Sequence, residues 1–324
     1  MRQDPETGSG APIRIGISAC LLGENVRYDG GHKRDSFLTA TFGRYVQWVP
    51  VCPEVEMGLG VPRDTLRLEA IEGAVHLIMP KTGEDHTASI RRYAHKRLEE
   101  LAREELHGYI LKKDSPSCGM ERVRVYGAGG MPQKTGRGLF AAALLERFPR
   151  LPVEEEGRLS DPRLRENFVE RVFAYHRLRA LFQARWGLKD LIAFHTAHKF
   201  QILAHSTKGY QGLGRLVAGA KSAAREKVRG SYEKGFMEAL GVLATVRRNT
   251  NALHHMAGYL RPHLDDGCRE ELLSVIEDYR QGLYPLVVPL TLICHHARRF
   301  RVGYLLGQTY LEPHPKELML RNHV

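Results

Sequence analysis

The sequence predicts an α/β Rossmann-like N-terminal domain, with a mainly parallel sheet and flanking helices, followed by an all-α helical bundle. Three observations carry this reading. Short β-branched runs alternate with helical patterns over the first half, as in domains built around a parallel sheet. A stretch dense in proline, glycine and acid, FPRLPVEEEGRLSDP at 148–162, then interrupts the chain. Beyond it, apolar residues recur at helical spacing. A length of 324 residues accommodates two ordinary cores. The domains are expected at 13–155 and 160–324, after a disordered tail at 1–12. That tail is polar and resembles neither a secretory signal nor an organelle presequence.

Element by element, strands are expected at 13–17 (IRIGI), 45–51 (YVQWVPV), 75–79 (VHLIM) and 109–111. Leucine and alanine at three- and four-residue spacing predict a helix over 87–106, and GLFAAALLER a second over 138–147. In the second half, helices are expected at 162–184, 189–205, 210–226, 232–247, 265–282 and 286–300, joined by short connections. No stretch reaches the ~18 apolar residues of a membrane-spanning helix. The best candidate, 283–294, is short and broken by Pro285 and Pro289, which excludes an integral membrane protein of that kind.

Charge divides along the same line. Residues 1–160 carry 23 Lys and Arg against 22 Asp and Glu, whereas residues 161–324 carry 25 against 15, so the excess of +10 lies in the second half. Five cysteines, an odd number, do not make a disulfide framework, so a reducing cytoplasm is expected and the thiols are free for other chemistry.

Three of those thiols follow expected strands: Cys20 in ISACLLG, Cys52 in VPVCPE and Cys118 in LKKDSPSCGM. In a parallel sheet the carboxyl ends of strands converge on one edge, where ligands bind. Spacings of 32 and 66 residues contain no CxxC pair, and free cysteine is often a small buried hydrophobe. Glycine, proline or serine beside each one points instead to turns, whose N–H groups hydrogen-bond sulfur. Three thiolates suit an iron-sulfur cube with one open iron. A structural zinc needs a fourth ligand, which His32 could supply.

ACLLG with YDGGHKR downstream, VCPEVEMGLGVPR, LKKDSPSCG and TGRGLFA together resemble the TudS-type thiouracil desulfidase family over roughly residues 13–155. AFHTAHKFQILAHS, YQGLGRLVA and NTNALHHMAGYL resemble the YbgA-like domain, and the fused order is similar to the tRNA 4-thiouridine desulfidases of the RudS type. The resemblance implies a 4Fe-4S cluster held by Cys20, Cys52 and Cys118, a thiocarbonyl sulfur at the open iron, and water replacing sulfur without net redox change. It also implies catalytic roles for Glu54 and Ser115.

Glu54, two residues from Cys52 with Pro53 between, suits a general base; its plainer alternative is a salt-bridge acid. Ser115 suits a hydrogen-bond donor to substrate or leaving sulfur. Ser117 competes, although a turn hydroxyl bonding its own backbone beside Pro116 is its simpler role. Lys112 is a candidate to orient a carboxylate. Asp29, Gly30 and Gly31 are close enough to Cys20 to line the same mouth, and the glycine run at 127–130 is too weak for a nucleotide fingerprint.

In the basic half, His195, His198 and His205 lack the partners of a metal site, and the pairs His254–His255 and His295–His296 point to different helix faces. Arg215, Lys221, Arg225, Lys227, Arg229, Arg247, Arg248, Arg298, Arg299 and Arg301, with Tyr210, Tyr232 and Tyr259 interleaved, suit RNA phosphates and unpaired bases. The expectation is therefore an iron-sulfur desulfidase acting on 4-thiouridine in tRNA. The alternatives are an enzyme of free thiouracil or thionucleosides whose helical half serves oligomerisation, and a non-catalytic iron-sulfur RNA-binding protein.

Overall fold

The computed structural model describes residues 12–127 and 131–323. All but the last residue of the expected tail, and residues 128–130 of the glycine run, lie outside the described residues. The chain divides into two compact units, Met1–Ser160 and Asp161–Val324.

In the first unit the strands are β1 (Arg14–Ser18), β2 (Gln47–Val51), β3 (Arg67–Ile71), β4 (Ala74–Met79), β5 (Glu84–Asp85), β6 (Gly108–Leu111), β7 (Val123–Tyr126), β8 (Pro132–Gly136) and β9 (Val153–Glu155). They form two sheets. The first, in the order β2-β1-β6-β9, is parallel throughout. Its central strands are apolar because both faces are covered: Ile15, Ile17, Ile110 and Leu111 are fully buried. Gly16 is required in β1, since a Cβ there would stand 2.2 Å from the Tyr109 ring of the neighbouring strand. Helices α1 (Pro53–Glu56), α2 (Thr87–Arg103) and α3 (Leu139–Arg147) complete the unit, α2 burying Ile90, Ala94, Leu98 and Leu101 along one face.

The second sheet, β5-β4-β3-β7-β8, corrects an expectation. The 75–79 run belongs to it as β4 and pairs antiparallel with β3 through the two-residue turn Glu72–Gly73, whose φ values of 50° and 81° match the twist of a tight hairpin. The stretch at 148–162, expected only to connect, also contributes β9, the edge strand of the parallel sheet.

The second unit is helical: α4 (Pro162–Gln183), α5 (Leu188–Ala197), α6 (Lys199–His205), α7 (Thr207–Gly219), α8 (Arg225–Gly241), α9 (Val246–Leu260), α10 (Asp266–Arg280), α11 (Val287–Arg299) and the short α12 (Gly303–Leu306). Asp161 caps α4 by accepting the N–H groups of Arg163 and Leu164. The expected single helix at 189–205 breaks at His198, whose ring turns back to bond the Phe194 carbonyl at 2.7 Å. Helix α9 was not expected as an element; Thr245 caps it, and Ala252, Leu253, Met256 and Leu260 bury its apolar face. Among the described residues no helix is long and apolar enough to cross a membrane.

Candidate active site

The carboxyl ends of β1, β2 and β6 open onto a cavity of about 520 Å³, within the range of roughly 300–1,000 Å³ usual for small-molecule sites. Arg67 and Leu68 of β3, with Val123, Arg124 and Tyr126 of β7, wall it from the second sheet. Cys20 stands on a single tight turn after β1, Cys52 caps α1 directly after β2, and Cys118 lies in the loop after β6; all three line this cavity. Burial, with Cys52 nearby, pushes the Cys20 thiol up to about 11. Burial likewise raises Cys52, and raises Cys118 strongly against an opposing hydrogen bond from Ser18. The free thiols are thus protonated at neutral pH, and a metal binding there must displace their protons.

The donor set is sulfur alone, spread over three strand ends, which fits a cluster with one thiolate on each of three irons. Among the described residues, no group of three or more His, Cys, Asp or Glu is arranged to hold a metal ion. His32, the fourth ligand a zinc would need, is exposed, lies outside the cavity lining and accepts the Arg34 N–H through Nδ1.

The loop carrying Cys118 reverses the expected division between its serines. Ser115 Oγ accepts the N–H groups of Ser117 at 3.2 Å and Cys118 at 3.0 Å, so it is the backbone-bonding hydroxyl. It lines the cavity and keeps its own hydrogen to donate. Ser117, fully buried, donates instead to Glu54 Oε1 at 2.9 Å. The loop is docked on α3: Leu139 N–H donates to Pro116 O, and the N–H groups of Phe140 and Ala141 to Ser117 O. Gly138 allows this approach, because a Cβ there would stand 2.4 Å from Ser117 O. The acids at 154–156 hold the same region. Glu155 accepts Met120 N–H at 2.6 Å, and Glu156 accepts Lys113 N–H at 2.7 Å.

Glu54 lines the cavity from α1. Arg63, which the sequence reading did not single out, donates from Nε and Nη2 to Glu54 Oε2 at 3.0 and 2.6 Å. Only 5% of the Arg63 side chain is exposed, and its Nη1 donates to Val26 O and Gly60 O. Ser18 is a second residue missed: its hydroxyl bonds Cys118 and accepts Lys112 N–H at 3.0 Å. Position beside a known motif was the available signal for both, since Ser18 precedes ACLLG and Arg63 ends VCPEVEMGLGVPR.

Other candidates fall elsewhere. Lys112 lines the cavity but pairs with Glu156, not with Glu54. Asp29 lies outside the lining, held by Gly31 N–H at 3.0 Å and facing Arg27. In the helical unit, His195 bonds the Tyr232 hydroxyl and His205 the Glu170 carboxylate, so both are satisfied core residues. Tyr232 is fully buried, which removes it from the expected base-stacking set because packing against Phe182, Phe194 and Phe236 occupies its ring. Arg248 also turns inward, bonding Ala204 O and Leu243 O. Arg215, Lys221, Arg225, Lys227, Arg247, Arg298, Arg299 and Arg301 are exposed.

Fold and cavity together define the class, an α/β domain whose cavity is lined by three cysteines, followed by a helical domain. A 2-thiouracil desulfurase family profile matches residues 15–156, and that of DUF1722, a protein family of unknown function, matches 199–315. YbgA of Escherichia coli strain K12 is 33% identical over 161 residues, covering 49% of this chain and 95% of YbgA. YbbK of Bacillus subtilis strain 168 is 29% identical over 145 residues, covering 43% of this chain and 95% of YbbK. A solved structure of the 4Fe-4S-dependent thiouracil desulfidase TudS is 34% identical, covering 46% of this chain and 93% of TudS, with a TM-score of 0.37. The chain belongs to the family of YbgA, and it carries a 2-thiouracil desulfurase match followed by a DUF1722 match.

Proposed function

We propose that the protein is an iron-sulfur desulfidase that converts 4-thiouridine in tRNA to uridine. The observation that carries the reading is that Cys20, Cys52 and Cys118 line one cavity together with Glu54 and Ser115. Cys20, Cys52 and Cys118 would hold a 4Fe-4S cluster; bound there, it would supply a Lewis-acidic iron with affinity for soft sulfur. The reaction exchanges no electrons: water contributes the oxygen, and sulfur leaves with both of its protons as hydrogen sulfide.

The side chains divide the remaining work. Glu54 takes a proton from water as it attacks the thiolated carbon and passes it to the sulfur. It then takes the second proton from the hydroxyl left on carbon as the C=O bond forms, and gives that one to the departing sulfur too. Ser115 donates its free hydrogen to the sulfur or to the ring. A base within folded tRNA must leave its stack to enter the cavity, and gripping nearby phosphates offsets that cost. The exposed arginines and lysines of the helical domain supply this grip.

The test is turnover by anaerobically prepared, iron-loaded protein on thiolated tRNA, on 4-thiouridine and on free thiouracil, with nucleosides analysed after digestion. Uridine formed in tRNA supports the reading. Turnover of the free base alone would restrict the enzyme to small substrates, and intact substrates throughout would end the proposal. Cys20→Ala, Cys52→Ala and Cys118→Ala should each lose iron, whereas Cys268→Ala and Cys294→Ala should retain it.

A further inference from the structure

We infer that Arg63 is a positioning residue that, with Ser117, leaves Glu54 one acceptor site for water, on Oε1; this rests on the reading of Glu54 as the base. An ionised carboxylate offers about four acceptor sites, two on each oxygen. The two N–H groups of Arg63 fill those of Oε2, and the Ser117 hydroxyl takes one of Oε1. The vacancy that remains is on Oε1.

Three features make this a built arrangement. The Arg63 side chain is almost wholly buried, and a guanidinium in that position needs its partners. Two of its N–H groups grip one oxygen, which fixes the carboxylate in a way that a lysine's compact ammonium cannot. Its remaining bonds, to Val26 O and Gly60 O, anchor the fork to the backbone of two separate segments. Ser117 is held in turn, because its own carbonyl receives the first N–H groups of α3. The angle of Glu54 is therefore set from two independent segments.

The experiment compares Arg63→Ala, Arg63→Lys, Ser117→Ala and Glu54→Gln in the full chain, with iron content measured for each. Arg63→Ala is expected to lower kcat about 100-fold, the scale of loss from slight misplacement of a catalytic group, with KM little changed. Ser117→Ala should lose about tenfold or more, as for a hydrogen bond to a charged group. Adding Arg63→Ala to Glu54→Gln should cost no further activity, because the two act as one unit. Added guanidinium should partly restore Arg63→Ala. Arg63→Lys should remain impaired despite keeping the charge; it also serves as the test if Arg63→Ala fails to fold. A second readout needs no iron: the two substitutions should be non-additive in urea unfolding of the metal-free protein.

A raised KM at unchanged kcat would make Arg63 a substrate-binding group, and additive losses would make it a brace for the 60–63 loop; either overturns the inference. Wild-type turnover in Arg63→Ala beside an inactive Glu54→Gln overturns it while sparing the base. An active Glu54→Gln removes the base itself.

Discussion

Ser115 and Ser117 stand two positions apart and do different work, one closing the turn and the other reaching across to α1. Ser115→Ala would leave the Ser117 and Cys118 N–H groups without their acceptor. Losing an acceptor for buried donors costs about 1–3 kcal/mol, so a lower unfolding midpoint is expected together with reduced turnover. Ser115→Thr, which keeps the hydroxyl, should restore the midpoint; equal midpoints for wild type and the alanine variant would refute the capping role. The sequence made the serines visible as candidates, because the loop and its cysteine stood out by composition. It did not reveal which hydroxyl faces inward, since that follows from backbone torsions fixed by the docking of 116 and 117 on α3. Arg63 was hidden for a related reason. It lies nine residues beyond Glu54, across Gly58 and Gly60, both of which adopt positive φ and fold the loop back on itself.

Among the elements, apolar strands were legible and polar ones were not. β1 and β6 are close to their expected limits because two covered faces demand continuous apolar runs, and the edge strand β2, only partly buried, is close as well through its Trp48–Val51 run. β8, with the sequence PQKTG, is largely exposed and carries no apolar alternation; only pairing with β7 makes it a strand. β9 resembles a connector in the sequence because its glutamates look solvent-seeking, yet Glu154 and Glu155 are both buried, one bonding Arg158 and the other the Met120 N–H. The start of α3 offers a sharp test of how elements hold the site. Gly138→Ala places a methyl against the Ser117 carbonyl, and overpacking of this kind costs about 1–3 kcal/mol. Because the displaced group belongs to the Cys118 loop, iron retention should fall along with thermal stability. Full iron retention in a destabilised variant would separate α3 from the site.

Across the molecule, buried histidines in the helical unit predict its response to acid. Burial pushes His195 down to about 4, His198 to about 3 and His314 to about 4. The unfolded chain takes up these protons near pH 6.5 while the folded unit does not, so their contribution is complete above that pH and declines as pH falls toward 4. His205 runs the other way: burial disfavours its charge, but Glu170 more than reverses this, and its contribution is lost as pH rises through its folded value. With four groups lowered, His296 among them, against one raised, the unfolding temperature of the full chain should drop between pH 6.5 and 4.5. His198→Gln should flatten that drop, and a temperature unchanged across the interval would contradict the assignment. The parallel sheet of the first unit imposes an order of a different kind. β1 pairs Ile15 with Gly108, and Tyr109 pairs with Val153, so the opening strand waits for partners made much later. Pairings this distant in the chain close slowly. During synthesis the chain must therefore extend past Tyr126, the last residue of the lining, before its cavity exists, and any filling of it is bound to follow that point.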